Sequence, residues 1–269
     1  MILILLEYVS TSSKTLPPKN EMSLRRFLNR TILSKTKYEI IKSNAAIKKH
    51  QSATLDLNLE YIVTHRMTTS DDFFILQVGA NDGIGNDAVY PLIKKFGFKA
   101  ILIEPLKDIF DKLQANYADI DRVTFINKAI HNELKEMNLY RINPNADLTG
   151  LPVWATRIAS FNKSVIESHK KQIPNIQNLL IKETVECISL EEVIIEAEIK
   201  HIDLLQIDAE GYDYEIIKMI KFQKIRPSII RYEHKHLSKK DFTECLELLV
   251  NNNYRILFED SDITAYSMD

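Results

Sequence analysis

Three sets of residues in this sequence have the types and spacing to do chemistry. Asp208 and Glu210 stand two apart in IDLLQIDAEGYD, and His234 and His236 stand two apart in IIRYEHKHLS. Carboxylate and imidazole are groups that take a proton from a hydroxyl near neutral pH, imidazole most readily because its ordinary pKa lies near 6.5. The third set is LQVGANDGIGN, residues 76–86, which holds three of the six glycines in 269 residues, followed nineteen residues after Gly85 by Glu104. Glycine lacks the Cβ that keeps a backbone away from its surroundings, so such a cluster marks a main chain brought close to something.

The elements around these residues read as alternating strands and helices. FFILQV, residues 73–78, is a short apolar run suited to a buried parallel strand. After the glycine turn, DAVYPLIKKF reads as a helix with Pro91 in its first turn and Gly97 at its end, and KAILIEP as a second strand closing at Glu104. One βαβ unit of this kind brings residues 79–85 and Glu104 to the same carboxyl edge of a sheet. That pairing suits a nucleoside: backbone approach at the first strand end, and a carboxylate at the second to accept from both ribose hydroxyls. VTFINKAI, residues 123–130, reads as a third strand whose end, Asn127 to Ile130 with Ala129 among them, lies beside an adenine.

Residues 202–220 give a fourth strand, an acidic turn and a helix. Asp213 reads as a partner of the helix N-terminus, whereas Asp208 and Glu210 are placed for function beside the nucleoside. PSIIRYEHKHLS supplies a fifth strand, DFTECLELLVNN a helix, and YRILFED with ITAYSM a closing hairpin.

The loop spacing is GxxxGxG rather than the GxGxxG of dinucleotide sites, and it carries Asp82. A carboxylate there repels a pyrophosphate but attracts the sulfonium and amino group of S-adenosyl-L-methionine, which favours that cofactor over NAD. An NAD-binding oxidoreductase and a noncatalytic S-adenosylmethionine-binding module are the alternatives. A His-x-His pair near acids also matches metal-ligand chemistry, yet histidines alternating at a strand end more often form a solvated edge. No metal is assigned from the sequence; a metal-assisted transferase is a further alternative.

The run VGANDG, the strand ending IEP, the segment ASFNKSVIESH, the turn IDLLQIDAEGYD and the strand IIRYEHKHLS, in this order, resemble the FkbM family of S-adenosylmethionine-dependent methyltransferases, from about residue 71 to the C-terminus. The resemblance implies a class I methyltransferase fold, a Rossmann-like α/β three-layer sandwich with a mostly parallel seven-stranded sheet and a C-terminal antiparallel hairpin strand. It also implies methyl transfer to an oxygen of a sugar, glycan or secondary metabolite. Carried over by position, it gives Gly79, Ala80, Asn81 and Gly83 the cofactor loop and Glu104 the ribose, and leaves Asp208 and Glu210 at the methyl-transfer end. Many family members carry an acid where this chain has Gln77; Asp82 is the substitute expected to meet the cofactor's amino group. His169 ends the matching segment ASFNKSVIESH and is expected on the substrate side.

Between the third and fourth strands runs a long connection, about residues 141–187, of a length usually associated with a lid or substrate wall. Trp154, the only tryptophan, is read either as a stacking face for a sugar or as the centre of a small satellite core. Ser160, Asn162 and His169 are positioned to meet hydroxyls.

Composition excludes several classes. Lys and Arg total 35 against 37 acids, so no global attraction to nucleic acid or anionic lipid exists, and no nucleic-acid motif is present. Cys187 and Cys245 lack metal or redox spacing and are expected as buried thiols. MILILLEYV is too short to span a bilayer, and residues 1–21 are expected as a disordered leader or upstream translated sequence, with the natural start at Met22. Residues 22–70 read as a helical segment with a basic amphipathic face, which packs on its own domain more commonly than on a membrane surface. The methyltransferase domain is expected over residues 71–269, and the compartment as the cytoplasm.

Overall fold

The computed structural model describes residues 58–70, 72–85 and 87–267. The expectations for residues 1–21, for the start at Met22 and for the basic helix that follows it lie outside the described residues. The described part of the N-terminal segment is α1 (Leu59–Met67), capped by the Asn58 side chain, which accepts from the Tyr61 N–H.

The chain then runs β1 (Phe74–Val78), α2 (Tyr90–Phe96), β2 (Lys99–Ile103), α3 (Lys107–Asn116), β3 (Val123–Ile126), β4 (Ala129–Ile130), β5 (Glu136–Ile142), β6 (Ala159–Ser160), α4 (Lys163–Glu167), α5 (Ile176–Leu179) and β7 (Leu180–Ile188). It closes with α6 (Leu190–Glu196), β8 (Leu204–Ile207), α7 (Asp213–Lys218), β9 (Ile229–Glu233), α8 (Lys239–Asn251), β10 (Tyr254–Phe258) and β11 (Asp262–Ser267). Seven strands form one sheet in the order β10-β11-β9-β8-β1-β2-β3. Its five strands from β9 to β3 are parallel neighbours, and β11 inserts antiparallel between β9 and β10. This is the mostly parallel sheet with a C-terminal antiparallel hairpin that the resemblance implies.

Alternation along the strands divides the core in two. Leu76, Val78, Ile101, Ile103, Leu205 and Ile207 face a cluster with side chains of α6, α7 and α8. Ile75, Ala100, Leu102 and Leu204 face the opposite cluster, with side chains of α1, α2 and α3. Both faces are therefore covered, which is why these strands read as continuous apolar runs rather than alternating ones. Gly97 ends α2 in the left-handed conformation, φ 68°.

The long connection is no simple lid. It contributes to a second sheet, order β4-β7-β5-β6, in which β5 and β7 pair antiparallel from Glu136↔Glu186 to Ile142↔Leu180. The third strand expected over 123–130 is split accordingly: β3 stays in the large sheet and β4 pairs with β7. Arg141, 1% exposed, fastens the small sheet to α3 by a bidentate pair with Asp108 at 2.6 and 3.0 Å and a third contact to Glu183 at 3.0 Å. A buried guanidinium is tolerated here because its charge is neutralised by planar, two-point contacts.

Gly79 shows what its missing Cβ permits. A Cβ there would lie 1.9 Å from the carbonyl oxygen of Asp208, and its φ of +77° disfavours any other residue. Gly79→Ala is therefore expected to destabilise the fold by about 3 kcal/mol or more, read as a shifted urea midpoint; an unchanged midpoint would refute the close packing of the β1 and β8 ends.

Candidate active site

At the carboxyl edge of the large sheet lies a cleft. Its walls come from the β1 end (Val78, Gly79, Asn81), the β2 end (Ile103, Glu104, Pro105), β4 (Ala129, Ile130) and the turn after β8 (Asp208, Ala209, Glu210, Tyr212). Arg157, Ala159 and Phe161 complete it from the long connection. The cleft thus brings together Gly79, Asn81, Glu104, Ala129, Asp208 and Glu210. Ala80, Asp82, Gly83, Trp154, His169, His234 and His236 stand outside its wall.

Glu104 is 5% exposed and anchors the loop: its two carboxylate oxygens accept from the Asn81 and Leu106 N–H groups, each at 2.9 Å. Each oxygen keeps a second lone pair. Burial pushes its pKa up to about 7, although the two N–H donors and Arg141 favour the charged form. Asn127 turns away from the cleft, donating to the carbonyls of Glu104 and Pro105 at 2.9 and 3.0 Å.

The glycine loop is arranged differently from expectation. Gly79 and Ala80 donate to the Ile103 carbonyl, Asn81 to Glu104, Asp82 to the Asn81 side chain, Gly83 to the Ala80 carbonyl, and Ile84 and Gly85 to Asp82. Every backbone N–H from residue 79 to 85 is thus spent within the protein. A pyrophosphate needs such donors free, so the loop is no phosphate cradle. Gly83 lies under Tyr117 and Gly85 under Arg157, where added Cβ atoms would lie 2.5 and 1.8 Å from those side chains. The glycines serve packing of the chain on itself.

Asp82 is likewise turned from its expected task. Its carboxylate pairs with Arg157 at 2.6 Å and accepts from Ile84 and Gly85. Burial opposes its charge, but the Gly85 and Ile84 N–H groups and the guanidinium prevail and hold its pKa below the usual range. Its charge is already neutralised, so repulsion by Asp82 no longer argues against NAD; the spent N–H groups argue instead. Gln77 has its own physical reason: buried, it donates through Nε2 to Asp87 at 2.7 Å. An acid at that position would face the half-buried Asp87 carboxylate.

Asp208 opens to the cleft on one side, which accounts for its exposed surface, and is enclosed by protein on the others. This enclosure, with Glu233, Glu210 and Asp213 nearby, raises its pKa well above the usual range. Asp213 is fully buried and ties the turn to β9, accepting from the N–H groups of Gly211 at 3.1 Å and Glu233 at 3.3 Å. It stands in the first turn of α7 but does not cap that helix. Glu210 adopts a left-handed backbone, φ 46°, stabilised by Ser160, whose hydroxyl donates to the Glu210 carbonyl at 2.7 Å. A non-glycine residue held in this region marks a site where the surroundings outweigh local strain.

The two histidines part company. His234 packs its ring against Phe242 and Phe258, with centroids 5.4 and 6.3 Å away, and burial lowers its pKa. His236 turns inward, its Nε2 3.1 Å from Glu210 and 3.5 Å from Glu233. They do not form the solvated edge that their spacing suggested. Asn162 caps α4 by accepting from the Ser164 N–H. Trp154 packs on the satellite core with Ile142, Ile158 and Ile166, and its ring centroid lies 5.2 Å from that of His169.

Sequence reasoning missed Arg157, Phe161 and Tyr212. Phe161 and Tyr212 meet edge to face, centroids 5.0 Å apart, on the cleft wall. No periodicity could have paired them, because they come from the connection and from the turn after β8. Cys187 and Cys245 are buried free thiols, and no helix among the described residues is long and apolar enough to cross a membrane.

Among solved structures the chain is similar to an FkbM methyltransferase from Methylobacillus flagellatus KT, at 13% identity and a TM-score of 0.44, covering 73% of this chain and 44% of that one. It is also similar to a ribosomal protein L11 methylase from Lactobacillus delbrueckii subsp. bulgaricus, at 9% identity and a TM-score of 0.37, covering 77% and 76% of the two chains. A third is the METTL16 methyltransferase domain, at 13% identity and a TM-score of 0.42, covering 95% and 83%. No curated protein sequence matches the chain significantly. The family model for the methyltransferase FkbM domain matches residues 77–256, from within β1 to within β10. That match spans the cleft, the small sheet, the connection between the sheets and the large sheet up to β10, and the chain accordingly belongs to the FkbM methyltransferase family.

Proposed function

We propose that the chain transfers a methyl group from S-adenosylmethionine to a hydroxyl oxygen of a sugar, glycan or secondary metabolite. The observation that carries this reading is the Glu104 carboxylate, fixed by two backbone N–H groups at the cleft wall with acceptor capacity left on both oxygens. A vicinal ribose diol fits such a pair of acceptors. Ala129, Ile130 and Phe161 supply apolar wall for an adenine, and Gly79 lines the same cleft. When bound, the cofactor supplies an electrophilic methyl group on a positively charged sulfur. The carboxylates of Asp208 and Glu210 favour positive charge at that end of the cleft and give the acceptor hydroxyl a place to leave its proton. The protein's main contribution is alignment and exclusion of water, effects worth several kcal/mol or more.

The acceptor class is tested by incubating the protein with donor labelled in its methyl group and hydroxylated acceptors. Label recovered as an alkali-stable methyl ether supports the reading; label on nitrogen or carboxyl ester refutes it. The cofactor half is tested by calorimetry with S-adenosylhomocysteine. Glu104 accepts from both ribose hydroxyls, beside the two N–H groups it already holds, only when ionised, and its pKa is pushed up to about 7. Affinity is therefore expected to rise by up to about tenfold per pH unit below about 7 and to level off above. A profile flat from pH 5 to 8 would remove Glu104 from the ribose.

A further inference from the structure

We propose that His169, Glu210 and His236 bind one divalent transition-metal ion. The three residues offer donor atoms that all lie within 4.8 Å of one another, and this is the one such group among the described residues. They come from distant parts of the chain: His169 from the 3₁₀ turn Ser168–Lys171, Glu210 from the turn after β8, His236 from beyond β9.

Four polar atoms converge there without a hydrogen-bond partner, all buried: His169 Nε2, Glu210 Oε2, Glu233 Oε2 and His236 Nε2. Glu210 Oε2 and Glu233 Oε2 lie 3.1 and 3.5 Å from His236 Nε2. Donors around a tetrahedral ion with bonds of about 2.1 Å are separated by about 3.4 Å, so the spacing suits ligands of one centre. A buried polar atom without a hydrogen bond is costly, and the donor atoms of His169, Glu210 and His236, gathered within 4.8 Å, would share a cation as partner.

The surroundings favour a cation. Carboxylates gather there: Glu210 and Glu233 both reach His236 Nε2, and Asp213 accepts from the Glu233 N–H at 3.3 Å. Lys235 pairs with Glu233 Oε1, which leaves Oε2 toward His236. Further contacts orient the ligands as outer-shell groups do in metal sites. Ser160 holds the Glu210 carbonyl, Trp154 lies against His169, and Gly211 passes His236 at a separation where its own Cβ would come within 3.3 Å. Two imidazoles with carboxylates select zinc-like first-row ions over magnesium or calcium, which prefer all-oxygen sites. Glu210 also belongs to the cleft wall, so the ion would stand at the proposed acceptor end. The ion site itself does not depend on which group is methylated.

The full chain, stripped with chelator and equilibrated with zinc(II), is expected to retain one equivalent after dialysis, read by elemental mass spectrometry. His169→Gln and His236→Gln are each expected to weaken retention by about 100-fold, whereas His201→Gln, whose ring meets the Asp72 carbonyl at the other end of β1, keeps it. Zinc retained equally by both variants, or less than about a tenth of an equivalent on the wild type, overturns the assignment. Should a variant fail to fold, cobalt(II) on the wild type decides. Intense visible bands of a four- or five-coordinate site support the proposal, and the weak spectrum of the hydrated ion overturns it. Because none of these readouts requires turnover, failure here leaves the methyl-transfer reading standing, and the reverse also holds.

Discussion

Glu104→Gln is expected to weaken binding of S-adenosylhomocysteine by about 100-fold, or about 2.7 kcal/mol. The carboxylate has two oxygens, each already accepting one N–H, from Asn81 and Leu106. Glutamine keeps one acceptor and turns the other into a donor, which is set against one of the backbone N–H groups and can no longer accept from a ribose hydroxyl. Charge-assisted bonds to two hydroxyls account for a loss of this size. The same change has an opposite effect on stability. Glu104 ionises near pH 7 in the folded chain, against 4.5 for an unperturbed glutamate, so the folded state holds its proton more tightly than the unfolded state. Stability from this group is present at low pH and is lost as pH rises from about 4.5 through about 7, by on the order of 3 kcal/mol. Glutamine removes that slope. Calorimetry at pH 8 and urea melts between pH 5 and 8 read the two effects. Undiminished affinity in the variant would take the ribose away from this residue.

Asp208→Asn is expected to lower turnover by about 100-fold while leaving the protein at least as stable at neutral pH. Asp208 lines the cleft, and three other carboxylates, Glu233, Glu210 and Asp213, repel its charge. Removing one charge from such a crowd relieves repulsion, while the backbone bond from Asp208 to the Val78 carbonyl is retained. The residue thus carries the mark of a functional position, where activity is held at the expense of stability. Label-transfer rates alongside thermal melts decide the matter. Wild-type rates in a well-folded variant would leave Glu210 as the carboxylate of interest, and a lower melting temperature would contradict the account of mutual repulsion.

Much of the frame was legible from local patterns. Apolar runs of four to six residues ended by glycine, proline or acids identified β1, β2, β8 and β9, because a strand covered on both faces carries no alternation. Glu104 and Asp208 could be placed at one edge because the parallel connections put successive strand ends together. The loop was legible as a close approach, but not what it approached. Gly79, Gly83 and Gly85 meet Asp208, Tyr117 and Arg157, partners contributed by segments remote in sequence.

The same distinction separates the site's two halves. Sequence alone determined the sheet, its reading direction and the acid at the end of β2, since these follow from hydrophobic periodicity and chain connectivity acting over a few residues. Tertiary structure alone decided that Asp82 is neutralised by Arg157, that His234 and His236 face different surroundings, and that His169 joins Glu210 and His236. The physical reason is that a side chain's charge, protonation and partners are set by distances of a few ångströms. The long connection closes those distances by building a second sheet fastened through Arg141, and no spacing in the sequence records them.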